Sequence, residues 1–508
     1  MYLKKKKHLR QGTYHPWTIL ADNKNKRDRA RMASAYGQCD LVKLWNGNVR
    51  LTFNSLYPIE KGFFKSQVIK KQNPLKMLSA LITDEGLPIR DIFQSLFMQV
   101  PLPMVNYIQS GQYDYWKILN EEYQFAISKN GISTQSKIYI PGGVRRIFKG
   151  KRKVIQENEE FLNIKGIYQI PSDRTELKAL LLEDKIVMIL TIEGMHALGT
   201  DAGNLTDWKK RVDEIKKWEY PVFFITFAHH FNNGLCGHAH SFPDISTKIL
   251  DQKGSGFNGK FTKAGWVIIR KLLALDTNND TDPSEGYRIL IDVKHMSANS
   301  RLEYYKHIVM PCFEKGTIIP VIASHCGYSG RKTLNELIDH TDKESDDYFS
   351  NGFYAWNINV CNEDIEMIFL TEGLLGISLD QRILGVPAKQ KTAGGKNTID
   401  CIWSTIRAAV KAIYTSSNPQ VNLLDKTKIW DHITLGSDFG GYIDPVNPYP
   451  DALEYKDLKL DLIEIIEKER ISTQHNQLFG LTNTQDVKSA VQKICYDNAK
   501  AFVLKWYP

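Results

Sequence analysis

Residues 318–325 read IIPVIASH: the run is apolar up to Ser324 and then ends on a histidine. One βαβ length earlier, RILIDVKH (288–295) does the same. Short runs of Ile, Val and Leu with little alternation are what strands buried on both faces of a parallel sheet look like. Outward from this pair the chain repeats the pattern in NVRLTFNSL (48–56), KIVMILTIEG (185–194), YPVFFITFAHH (220–230), GLLGISLD (373–380) and HITLGSD (432–438). Helix-length text separates most of them, such as NLTDWKKRVDEIKKW (204–218), whose apolar residues fall at helical spacing after an expected cap at Thr206.

Successive β-then-α units leave two architectures, an open doubly wound sheet or a closed (β/α)8 barrel. An open sheet gathers its chemistry at one switch point behind a Gly-rich phosphate turn, and no G-x-G-x-x-G follows any of these runs. Instead, Glu193, His229, His295, His325, Asp380 and Asp438 stand at separate strand ends. Bringing so many ends together requires closure, so the expected fold is an α/β (β/α)8 TIM barrel. Its first strand would lie near RQGTYHP (10–16), degenerate and hydrophilic, and a large, mostly helical insertion would follow strand 2 at about 57–184. That insertion holds helical text, DYWKILNEEYQFAIS (114–128), and an extended piece, SKIYIPGG (136–143). One hydrolase barrel domain is expected across 1–508, with PAKQKTAGGKN (387–397) as a loop over its mouth.

Composition agrees with a globular chain: 508 residues, 42% hydrophobic and 11% aromatic. The net charge of +9 is concentrated in residues 1–31 and in VRRIFKGKRKV (144–154). No aromatic-interleaved binding motif accompanies these runs, so they read as solvated surface and no nucleic-acid partner is expected. The seven cysteines are scattered without a CxxC pair, which suggests reduced thiols. Neither a signal peptide nor a membrane-spanning run is visible, and a cytoplasmic location is the expectation.

The strand-end residues carry a definite chemistry. His295 and His325 would end neighbouring strands roughly 4.8 Å apart, close enough for two imidazoles to share one ion of the zinc type. Glu193 could reach the same ion or bridge it to a second. Asp438 would face them across the mouth as a free carboxylate shuttling a proton from water to a leaving amine. His229 could donate to a carbonyl oxygen as charge develops. Asp292 and Lys294 read as polar partners at a strand end, Cys326 as a packed thiol, and His238 and His240 as part of a surface loop.

Five motifs, LTIEGMHALG, FFITFAHHFNN, ILIDVKHMS, PVIASHCG and ITLGSDFGG, occur in the order found in the membrane (renal) dipeptidase family, peptidase family M19. The chain resembles that branch of the metal-dependent amidohydrolases from about Arg10 to its C-terminus. The resemblance implies a two-zinc hydrolase that cleaves dipeptides or dipeptide-like amides by attack of a metal-bound hydroxide. Glu193 would bridge the ions and His295 and His325 would bind one of them, with His229 steadying the tetrahedral intermediate and Asp438 handling the proton. The other zinc would take ligands from TYHP, where His15 matches one position and Thr13 stands in place of the other. Thr is a poor zinc ligand, so the second ion is expected to be weak or absent. The family grips its substrate's carboxylate with an arginine, whose position here is Ile358 in INVCNED (358–364). Arg331 and Arg382 are candidate replacements, and Asn232 of the His229 motif is a further candidate substrate contact. Expected partners are a short peptide or other small amide, and a homodimer is compatible. Two alternatives stand beside this reading: an amidohydrolase acting on another amide or lactone, and a catalytically impaired barrel serving as a binding protein.

Overall fold

The computed structural model describes residues 38–64, 102–140, 145–148, 151–154, 160–199, 204–242, 252–339, 352–384 and 399–508 except 442, 444 and 447. Seven strands of the central sheet follow one another in sequence order: β1 (Leu51–Leu56), β2 (Ile186–Glu193), β3 (Val222–Thr226), β4 (Leu290–Asp292), β5 (Ile322–Cys326), β6 (Leu374–Ile377) and β7 (Ile433–Leu435). Every adjacent pair is parallel, and the two-residue strand Tyr168–Gln169 also pairs with β2. Helix α1 (Tyr115–Ile127) lies between β1 and β2. The later crossovers carry α2 (Leu205–Ile215), α3 (Lys263–Leu272), α4 (Ala298–Tyr304), α5 (Asn362–Leu370) and α6 (Ile399–Tyr414), and α7 (Tyr455–Ser472) and α8 (Asn498–Trp506) follow β7. Asp114 caps α1 by accepting from the N–H groups of Trp116 and Lys117. For α2 the cap is Asn204, which accepts from Asp207 N–H. The expected cap, Thr206, sits inside the first turn instead.

Strand alternation divides the core. Ile186, Met188, Leu190 and Ile192 of β2 join the large cluster that includes Trp208, Val212 and Ile215 of α2. Val187 and Ile189, pointing the other way, join Phe224, Leu290, Ile322 and Leu374 from the next strands. Phe502, Val503 and Tyr507 at the C-terminal end of the chain pack into this second cluster.

The sheet curls strongly. In a flat sheet β2 and β5 would be separated by three strand spacings, roughly 14 Å, yet Glu193 of β2 approaches His325 of β5 to 3.5 Å. Glycines permit the tight stretch at β5 to β7: a Cβ on Gly376 or Gly436 would collide with the carbonyl of Ser324. The architecture is therefore a curled, parallel, barrel-like sheet with helices in its crossovers. Among the described residues β1 and β7 are not paired with each other, so the closed eight-strand ring is not seen. The expected first strand, with Thr13 and His15, lies outside the described residues, as does the loop at 387–397. No described helix is long and apolar enough to cross a membrane.

Candidate metal centre

Along the inward face of β2, Val187 and Ile189 give way to Thr191 and then Glu193. Neighbouring strands change in the same direction. Ser55 of β1 meets Thr191 at 2.8 Å, and Thr226 of β3 donates to Asp292 of β4 at 2.7 Å. Asp292 also accepts from the backbone and hydroxyl of Ser324 at 3.0 and 2.5 Å, and from Lys294 N–H at 3.0 Å. Ser324 in turn meets Nδ1 of His325 at 2.7 Å. A buried carboxylate thus orients the His325 ring through one hydroxyl, and Nε2 is left facing the mouth.

Around that mouth the groups converge. Oε1 of Glu193 stands 3.6 Å from Nε2 of His229, 3.6 Å from Nε2 of His295 and 3.5 Å from Nε2 of His325. The two Nε2 atoms of His295 and His325 are 3.2 Å apart, and Asp438 Oδ2 lies 3.9 Å from His325. Donor atoms of Glu193, His295 and His325 all fall within 4.8 Å of one another. His295 and Asp438 hold positive φ angles of 65° and 59°, a conformation that non-glycine residues rarely adopt and that clusters at functional sites. Gly194, at φ 90°, follows Glu193 where a side chain would collide with His196 and His229.

Burial dominates the electrostatics. It pushes the imidazoles of His295 and His325 well below the usual range, helped by the positive charge of neighbouring Lys294, and takes His229 down to about 4. These rings are neutral at pH 7, with a lone pair to offer. Burial raises the carboxyls of Glu193 and Asp438, and the charge of Glu193 raises Asp438 further. Neutral imidazoles around a half-buried carboxylate fit a divalent cation of borderline softness, which would supply countercharge to the carboxylate. A cleft between the edges formed by β1 and β7 reaches Glu193, His325 and Asp438.

The structure brings together Glu193, His229, His295, His325 and Asp438. The other candidates with described positions have partners of their own, and the charges of Arg382 and Asp380 reach Asp438. Asn232 is exposed, and its Oδ1 accepts from Gly234 N–H at 2.8 Å, building its own turn. Arg382 donates to both carboxylate oxygens of Asp380 at 2.7–3.1 Å. Arg331 lies in the loop after β5, its carbonyl accepting from Asn362 N–H. His15 lies outside the described residues. One expectation is overturned: His238 and His240 are not on a surface loop but buried, each 1% exposed. The loop after β3 folds inward, His238 meeting the Gln252 carbonyl at 2.9 Å and His240 stacking on Trp356 at 3.9 Å.

Three participants escaped sequence reasoning. Glu60 forms a short contact with His229 Nδ1 and accepts from Phe231 N–H. Ser324 and His230 were passed over as neighbours of better candidates. Glu60 ends the text YPIE just beyond β1, and its position at a strand end was the available signal.

No protein-family model matches the chain. No curated protein matches it either. Among solved structures it is similar to a metallopeptidase from Rhodobacter sphaeroides bound to a phosphinate mimic of the dipeptide L-Ala-D-Ala, at 11% identity and TM-score 0.49, over 99% of this chain and 96% of that one. It is also similar to a dipeptidase described as a metallopeptidase of family M19, at 12% identity and TM-score 0.45, over 95% and 94% of the two chains. A third is a probable dipeptidase from Pseudomonas aeruginosa, at 13% identity and TM-score 0.38, over 90% of each chain. At such distances these names remain those of the neighbours.

Proposed function

We infer that the chain is a divalent-metal-dependent hydrolase of the membrane dipeptidase type, acting on dipeptides or dipeptide-like amides, with zinc as the favoured ion. The observation that carries this reading is the approach of one Glu193 oxygen to three imidazole nitrogens at 3.5–3.6 Å. Glu193, His295 and His325 would hold the ion. When bound, the ion would acidify water and polarise the scissile carbonyl. Asp438, half-buried beside His325 with its carboxyl raised, is suited to take a proton from water and return it to the leaving amine. Asp292 and Ser324 hold the His325 ring in place for this.

A second reading, hydrolysis of another amide or lactone, is favoured by the state of the residues expected to grip a carboxylate. Ile358, at the family's carboxylate-gripping position, is buried, and Arg382 is engaged by Asp380. Metal counting on the purified chain, followed by assay of L,L- and L,D-dipeptides with and without chelator, separates the readings. Chelator-sensitive dipeptide hydrolysis supports the first. Bound metal without dipeptide turnover supports the second, and no bound metal sinks both.

A further inference from the structure

Two histidines follow the end of β3, and only His229 entered the reading above. His230 adjoins the same cluster: its ring centroid is 4.0 Å from that of His229 and 4.7 Å from that of His295, and His229 and His295 are 4.4 Å apart. One donor atom from each of the three lies within 4.8 Å of the others. Both of the β3 rings are anchored at Nδ1. Glu60 holds that nitrogen of His229, while the Ser241 hydroxyl, itself engaged by the Gln252 amide, meets that of His230 at 2.8 Å. Anchoring through Nδ1 leaves Nε2 to face a ligand, which is how outer partners aim metal-bound imidazoles. His295 supplies an independent observation. Its Nε2 faces His325 and Glu193, whereas its Nδ1 is buried and has no hydrogen-bond partner among the described residues. An orphaned buried ring nitrogen is costly, and a cation would satisfy it.

We propose that His229, His230 and His295 form a second divalent-cation subsite that adjoins the first and shares His295 with it, Nε2 serving one ion and Nδ1 the other. This rests on the reading of Glu193, His295 and His325 as a metal site. Three imidazoles favour zinc or cobalt over magnesium or calcium. Filling both subsites displaces the remaining ring proton of His295 to solvent, so uptake of the second ion is coupled to release of one proton. His229 is then a ligand rather than the oxyanion donor its sequence position suggested.

The test uses the full chain, stripped with chelator, loaded with Zn²⁺ or Co²⁺, freed of excess ion and counted by elemental analysis. Wild type is expected to bind two ions per chain, His230→Gln one and His325→Ala one. The ion that His230→Gln retains reports that the neighbouring site is still folded. Ser241→Ala, which keeps every ligand, should weaken the second ion about tenfold or more. Titration calorimetry in two buffers of different ionisation enthalpy should read one proton released with the second ion. A wild-type chain binding a single ion that His325→Ala removes overturns the subsite and leaves the proposed function standing. Two ions retained by His230→Gln, or a second ion lost in His15→Ala and kept in His230→Gln, also overturns it. A wild-type chain that binds no ion overturns both.

Discussion

The same strands present two very different interiors. At one end Val187, Ile189, Phe224, Leu290, Ile322 and Leu374 form an apolar floor against Phe502 and Tyr507. Two residues further along those strands stand Thr191, Thr226, Asp292 and Ser324, with Glu193 two beyond Thr191. The floor stabilises by burying hydrocarbon. The mouth holds ionisable groups whose charged forms burial opposes, and two of its residues sit in the rare left-handed region. What separates the ends is a division of labour: the floor holds the sheet in its curl, and that curl brings groups from distant strands within bonding reach at the mouth.

The largest test of this contrast is removal of a mouth ligand. His325→Ala should lower hydrolytic rate by about 10³-fold or more while shifting the melting temperature by only a few degrees. A variant that keeps wild-type rates would place the chemistry elsewhere. Ile189→Ala, on the floor, should do the reverse. A loss of about 2–5 kcal/mol in unfolding free energy is expected from the cavity it leaves, with kcat per folded chain unchanged. Denaturant titration alongside single-substrate kinetics reads both, and a large kcat effect would merge the two regions.

Asp292→Asn probes the layer between them. It keeps the shape but weakens the hold on Ser324 and so on His325, and metal affinity should fall about 10- to 100-fold without loss of ion stoichiometry at saturation. The smallest effect concerns pH. His196, His229, His238 and His432 all have pKa values lowered by burial, His229 to about 4. Below an unfolded value of about 6.5 the unfolded chain therefore binds protons that the folded chain refuses. The imidazole contribution should be level above that pH and decline as it falls toward about 4, while the raised carboxyls of Glu193 and Asp438 contribute in the opposite sense. The slope is at most about 1.4 kcal/mol per pH unit for each group. Following the imidazole resonances of the metal-free chain by NMR from pH 7 to 4 checks this, and a His229 ring that titrates near 6.5 would contradict it.

Much of the sheet was legible because parallel strands buried on both faces must be written in continuous apolar text. All seven expected strand runs correspond to strands of the sheet. The cap of α2 was misplaced by two residues, since Asn204 and Thr206 are both good caps and only the helix's own register chooses between them. His238 and His240 were misread because a polar-looking loop gives no sign in its composition that it will fold under Trp356. Glu60 was missed for a related reason. Its partner, His229, is far away in sequence, and a lone glutamate after a strand looks like any other.

By itself the sequence determined which residues are strands and which strand ends carry nitrogen or carboxylate donors, because period and residue type are local properties. Only the tertiary structure decided that Glu193 faces three imidazoles at once, that Arg382 is engaged by Asp380, and that His230 joins His229 beside His295. The first and the last are facts of curvature. Bending the sheet turns a separation of several strands into a contact, and no single strand's sequence encodes how tightly its neighbours bend.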